Sequence, residues 1–109
     1  MEVRRGDLIT IALPGDYGKP RPALVVQSDA FTGLDSVTVL RLTSEVHSLP
    51  LIRITVDPTV ENGLVKRSQV MIDKAATVPR AKIGQRIGRL RPATMRAIGS
   101  ALAQFLSLE

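Results

Sequence analysis

Two short stretches carry residue types from which phosphoester chemistry can be built. The first is the loop 14–20, Pro-Gly-Asp-Tyr-Gly-Lys-Pro, which contains Asp16 and is followed at once by Arg21. The second is Leu42-Thr43-Ser44, where an apolar run ends in two hydroxyls. A guanidinium binds two phosphate oxygens at once and keeps its charge at neutral pH, so Arg21 suits the clamping of a phosphodiester as charge builds on it. Thr43 suits donation to a phosphate oxygen, and Asp16, in surroundings that raise its proton affinity, suits acceptance of a proton. Each has an ordinary alternative. Arg21 between two prolines can be a surface residue of a rigid loop, the hydroxyls can be strand-ending turn residues, and Asp16 beside Gly15 is common turn chemistry.

Other chemistries lack their residues. There is no Gly-Lys-Ser/Thr phosphate loop and no dinucleotide fingerprint. Cysteine is absent, His47 is the one histidine and the carboxylates are scattered, so neither a zinc site nor a paired-carboxylate magnesium site assembles. A reaction without metal or cofactor is expected, and a two-histidine acid–base mechanism within one chain is ruled out. His47 falls in a loop and reads as a solvated structural residue. The formal charge is +5, and from Lys66 to Arg96 only Asp73 opposes a long series of Lys and Arg. Polyanions are natural partners of such a surface. Aromatics are 3% of residues, namely Tyr17, Phe31 and Phe105, too few for a base-stacking platform, although Tyr17 in its loop can stack on one base.

The elements that must hold these residues read as short strands punctuated by turns. Residues 8–13 alternate, 22–27 are almost wholly apolar and look buried on both faces, and 37–42 look like a neighbouring strand. Residues 51–56 alternate again, Asp57-Pro58 and Asn62-Gly63 bracket a turn, and 69–72 and 75–78 complete the set. Pro92 stands at a first helical position, and Met95, Ile98, Leu102, Phe105 and Leu106 follow at helical spacing, as core or dimer packing. At 109 residues one domain is expected, spanning 1–109: a mainly β fold, a small barrel with one C-terminal helix packed on it. No apolar run approaches the roughly 20 residues of a membrane span, and the charged start leads straight into a strand pattern, so a cytoplasmic protein is expected.

In order along the chain, Arg5-Gly6-Asp7, Gly18-Lys19-Pro20-Arg21-Pro22-Ala23-Leu24-Val25-Val26, Leu42-Thr43-Ser44, Gln69-Val70-Met71-Ile72-Asp73 and Ile87-Gly88-Arg89-Leu90 resemble the MazF/PemK family of toxin ribonucleases. The resemblance spans nearly the whole chain and implies an SH3-like barrel, a homodimer, cleavage of single-stranded RNA at short preferred sequences, and a cognate antitoxin, MazE/PemI-like, whose tail covers the active groove. It implies that Arg21 is the catalytic arginine and Thr43 the catalytic threonine. Asp16 stands where the family often has glutamate, and Gln69 lies in the segment lining the RNA groove. Tyr17, Lys19, Ser44, Lys66, Arg67 and Lys74 complete the expected RNA-contacting set. Two departures bear on the proton acceptor: Asp for Glu shortens the side chain, and Lys66-Arg67-Ser68 lacks the Arg-x-Asp arrangement some PemK-type members use. The chemistry fits independently, because RNA brings its own nucleophile, the 2′-hydroxyl, and asks chiefly for alignment and charge stabilisation.

Two rivals use the same fold. A gyrase poison of the CcdB kind depends on a Trp-containing C-terminus, whereas this chain has no Trp and ends Leu106-Ser107-Leu108-Glu109. A non-catalytic SH3-like RNA-binding module would be served equally well by the basic stretch 66–96, and would bind RNA without cutting it.

Overall fold

The computed structural model describes residues 2–15 and 17–108. Six strands, β1 (Asp7–Ile11), β2 (Arg21–Val25), β3 (Ser36–Thr43), β4 (Arg53–Val56), β5 (Ser68–Pro79) and β6 (Ile83–Arg89), precede one helix, α1 (Pro92–Phe105). They form one antiparallel sheet in the order β4-β5-β3-β2-β1-β6. Among the described residues, no helix is long and apolar enough to cross a membrane.

The apolar runs of β1 to β3 are explained by burial on both faces of the sheet. On one face Leu8, Leu24, Leu40, Val70 and Ile72 pack with Ile98 of α1. On the other, Ile9, Ile11, Ala23, Val25, Val37, Val39 and Val78 form a second cluster. Neighbours in sequence therefore both disappear from solvent, as Leu8 and Ile9 do. In α1, Pro92 occupies the first turn, where its missing N–H costs nothing. Met95, Ile98 and Leu102 of the foreseen stripe pack against the first cluster, while Phe105 and Leu106 remain about half exposed.

The foreseen barrel takes a more open form. Its edge strands β4 and β6 are not joined by a ladder; the segment 57–67 spans the gap instead. The Arg89 N–H donates to the Glu61 carbonyl at 2.8 Å, and Leu64 enters the core. Gly63 (φ +67°) lies so close to β6 that an added Cβ would overlap the Ile87 carbonyl oxygen. Only glycine meets both conditions. Asn62, itself buried, holds the turn together: its Oδ1 accepts from the N–H groups of Thr59 and Leu64, both at 3.0 Å, and its Nδ2 donates to the Asp57 carbonyl at 2.9 Å.

Three further differences have local causes. The two short strands expected at 69–72 and 75–78 are one, β5, whose register against β3 shifts between Leu40 and Leu42. Asp73-Lys74 reads as a break, but the Asp73 carboxylate takes an ion pair from Arg53 and another from Lys74 at 3.3 Å, so the polar pair is accommodated in the irregularity. β4 starts at Arg53 and not at residue 51, because the N–H groups of Ile52 and Arg53 both turn back to the Leu49 carbonyl, at 3.0 and 2.8 Å. β6 was not foreseen, since Gly84, Gln85, Arg86 and Gly88 break any apolar pattern. Gly84 and Gly88 are small because Thr10 and the Asn62 backbone crowd them.

Candidate active site

A groove of about 750 Å³ opens where β2 begins and β3 ends. Arg21, Arg41, Thr43, Ser44, Glu45 and Lys66 line it, with Pro22, Leu42, Leu64 and Ile87 giving it an apolar floor.

Backbone register explains the pairing at its centre. β2 and β3 run antiparallel with Ala23 opposite Arg41; continued two residues outward, that register sets Arg21 opposite Thr43. The row extends across the sheet, because Thr43 pairs with Gln69 of β5, and Gln69 with Thr55 of β4. Arg21 pairs on its other side with Ile11 of β1. The prolines at 20 and 22 favour extended backbone at this strand start, where the side chain is exposed. Among the described residues no carboxylate pairs with the Arg21 guanidinium. Most other arginines are engaged: Arg53 with Asp73, Arg67 with Asp57 at 3.1 Å, Arg86 and Arg89 with the fully buried Asp7, and Arg80 with the Thr32 and Leu34 carbonyls. The Thr43 Oγ1 accepts from the Glu45 N–H at 3.1 Å, which leaves its own proton free to be donated into the groove.

The residues singled out by sequence divide clearly. The groove gathers Arg21, Thr43, Ser44 and Lys66, the last braced by the Ser68 hydroxyl, which donates to its carbonyl at 2.9 Å. Gln69 is not among the groove-lining residues and is buried, 3% exposed. Its Oε1 accepts from the His47 N–H and its Nε2 donates to the His47 carbonyl, both at 2.9 Å, and the same Nε2 reaches the Thr55 hydroxyl at 3.1 Å. Both amide N–H donors are engaged within the fold and the side chain is buried, so it is not presented to RNA.

Tyr17, 94% exposed at φ +54°, and Lys19 stand on the loop before β2, outside the groove lining. Arg67 and Lys74 are exposed, also outside the lining, and each is paired with an aspartate. Asp16 lies outside the described residues. Among those described, no three His, Cys, Asp or Glu stand close enough to hold a metal ion.

Two charged residues of the lining were not singled out by sequence: Arg41 and Glu45. Arg41 left a readable signal, a charge at an inward step of the apolar run Val37, Val39. Glu45 left none, being one acid in a polar loop. Away from the groove, the Asp73 carboxyl has a shifted proton affinity. Burial pushes it up, but hydrogen bonds from Arg53 and Lys74 outweigh that and hold it below the usual carboxylate range.

An antiparallel sheet with a terminal helix presents, in an open groove, a guanidinium that has no carboxylate partner among the described residues, with a threonine hydroxyl in the same lining; such a pair suits a phosphodiester. Comparison with known proteins narrows this. The PemK-like, MazF-like toxin family of type II toxin–antitoxin systems matches residues 4–106. A probable endoribonuclease MazF of Mycolicibacterium smegmatis is 45% identical over 107 residues, covering 97% of this chain and 98% of the relative. Among solved structures, an endoribonuclease in complex with its cognate antitoxin from a mycobacterial species superposes with a TM-score of 0.83 at 27% identity, over 98% of this chain and 97% of that one. The Mycobacterium tuberculosis toxin MazF-mt6 gives 0.79 at 28% identity, over 96% and 99%. The chain belongs to the PemK-like, MazF-like toxin family, as the sequence blocks implied.

Proposed function

We propose that this chain is the toxin of a type II toxin–antitoxin pair, a metal-independent endoribonuclease that cuts single-stranded RNA in the cytoplasm. The observation that carries this is the convergence of Arg21 and Thr43 on one groove. The ribose 2′-oxygen attacks the adjacent phosphorus, the Arg21 guanidinium clamps two oxygens of the phosphorane, and the Thr43 hydroxyl donates to one of them. The bond to the 5′-oxygen breaks, leaving a 2′,3′-cyclic phosphate and a 5′-hydroxyl. No metal-activated water is required, because the nucleophile is part of the substrate.

Lys66 and Ser44 line the same groove, which supports a role for them in holding flanking phosphates. The working form is a homodimer, and the apolar residues exposed at the end of α1 and beyond it, Phe105, Leu106 and Leu108, offer surface for a partner to cover. A cognate antitoxin silences the enzyme by occupying the groove; a relative of the same fold is an endoribonuclease in complex with its cognate antitoxin.

Incubating the purified protein with a long RNA in excess EDTA, then sequencing new 5′-hydroxyl ends, tests the reading. Cuts at a short recurring sequence are expected. RNA bound but left intact would point to the non-catalytic binding module.

A further inference from the structure

Attack by a ribose hydroxyl needs something to take its proton, and a guanidinium or ammonium that must stay charged is unsuited to that task. Among the described residues lining the groove there is one carboxylate, Glu45, two positions beyond Thr43. The two are mechanically linked. The Glu45 N–H donates to the Thr43 Oγ1 at 3.1 Å, so the turn that orients the hydroxyl also carries the carboxylate.

The segment bearing Glu45 is anchored in an unusual way. The buried Gln69 grips the His47 peptide at both its N–H and its carbonyl, and Gln69 is the cross-strand partner of Thr43. A leucine would fill the same space; what the amide adds is a fixed position for residues 45–47 relative to Thr43. The His47 Nε2 lies 3.9 Å from a Glu45 carboxylate oxygen. Arg21 from β2, Arg41 from β3 and Lys66 from the segment before β5 line the same groove as Glu45, and His47 stands beside it in its own loop.

We propose that Glu45 is the general base of this ribonuclease, a role that rests on the endoribonuclease reading above. The Glu45 carboxylate takes the 2′-hydroxyl proton as the O2′–P bond forms and the P–O5′ bond breaks. That proton passes through water to the departing 5′-oxygen, and the carboxylate ends as it began. The step is proton-neutral overall and needs no co-reactant.

The test compares wild type with Glu45→Gln, Glu45→Asp and Asp16→Asn on a short RNA carrying one cleavage site. Glu45→Gln changes one exposed atom and keeps the shape, so the protein stays folded. Its kcat is expected to fall about 100-fold or more, the usual scale of general-base loss, with KM within about threefold. The acid limb of the kcat–pH profile, where a carboxylate takes up its proton, disappears in Glu45→Gln, and Glu45→Asp restores part of the rate. A Glu45→Gln enzyme with wild-type kcat, or one that is slow but keeps its acid limb, overturns the proposal; so does a loss confined to Asp16→Asn. Wild-type protein that cuts no RNA in the parallel reaction overturns the ribonuclease reading itself, and is recognised by that control.

Discussion

Replacing Arg21 with alanine separates a catalytic guanidinium from a structural one. The side chain is exposed at the start of β2 and, among the described residues, has no ion-pair partner, so its removal leaves no stranded charge and no cavity. Stability should change by no more than about 0.5 kcal/mol, the usual range for surface positions of this kind. The reaction loses a preorganised donor aimed at the phosphorane, and deletion of one such donor costs about 100- to 1,000-fold in kcat, or roughly 3–4 kcal/mol of barrier. Arg21→Lys should recover only part, because an ammonium supplies charge without the two-pronged geometry. Turnover is read with a fluorophore-quenched RNA oligonucleotide, and a thermal melt of each variant is run beside it. An Arg21→Ala protein that melts normally and cuts normally refutes the clamp. One that fails to fold shows that the arginine supports the structure in a way its exposure does not reveal.

Other outcomes follow from the same geometry. Thr43→Val keeps the shape and removes the donor, so kcat should fall by about 10- to 100-fold with KM little changed in steady-state kinetics; equal activity would exclude the hydroxyl from the reaction. Gln69→Leu strands the His47 peptide groups and the Thr55 hydroxyl, and the urea midpoint should report about 1–3 kcal/mol of lost stability. Gly63→Ala forces a Cβ onto the Ile87 carbonyl at a left-handed φ, costing at least about 2 kcal/mol or preventing folding; a normal melt would show that segment 57–67 does not close the sheet as described. Asp73 has its folded-state proton affinity depressed, so its contribution to stability is present above the ordinary carboxylate range, about pH 4, and is lost as pH falls through the lower folded value. Wild type should therefore be more stable than Asp73→Asn at neutral pH, with the gap closing in acid; a gap that persists unchanged at low pH contradicts the assignment.

What could be read in advance was whatever the hydrophobic pattern controls. β1, β2 and β3 announce themselves by apolar runs because both faces of the sheet are buried there, and α1 by Pro92 and the spacing of Met95, Ile98 and Leu102. β6 was invisible because its shape is dictated by what crowds it: glycines where Thr10 and Asn62 press close, and polar residues on an edge. The closing segment 57–67 was read as an ordinary turn, since nothing in Asn62-Gly63 says which strand it will meet. At the site, Arg21 and Thr43 were singled out because family blocks surround them, and the β2–β3 register, continued two residues beyond the Ala23–Arg41 pair, sets them opposite one another in one groove. Gln69, expected to contact RNA, is buried instead, because a glutamine that contacts RNA and one that grips a loop backbone look identical in sequence. Glu45 could be found only once the turn after β3 brought it to the groove.

The most direct measurement is a crystal structure of the protein with an RNA oligonucleotide carrying a 2′-deoxy sugar at the cleavage position, which binds but lacks its nucleophile. The account predicts the scissile phosphate within hydrogen-bonding distance of both the Arg21 guanidinium and the Thr43 Oγ1. A phosphate bound elsewhere, with those two side chains facing solvent, would contradict it.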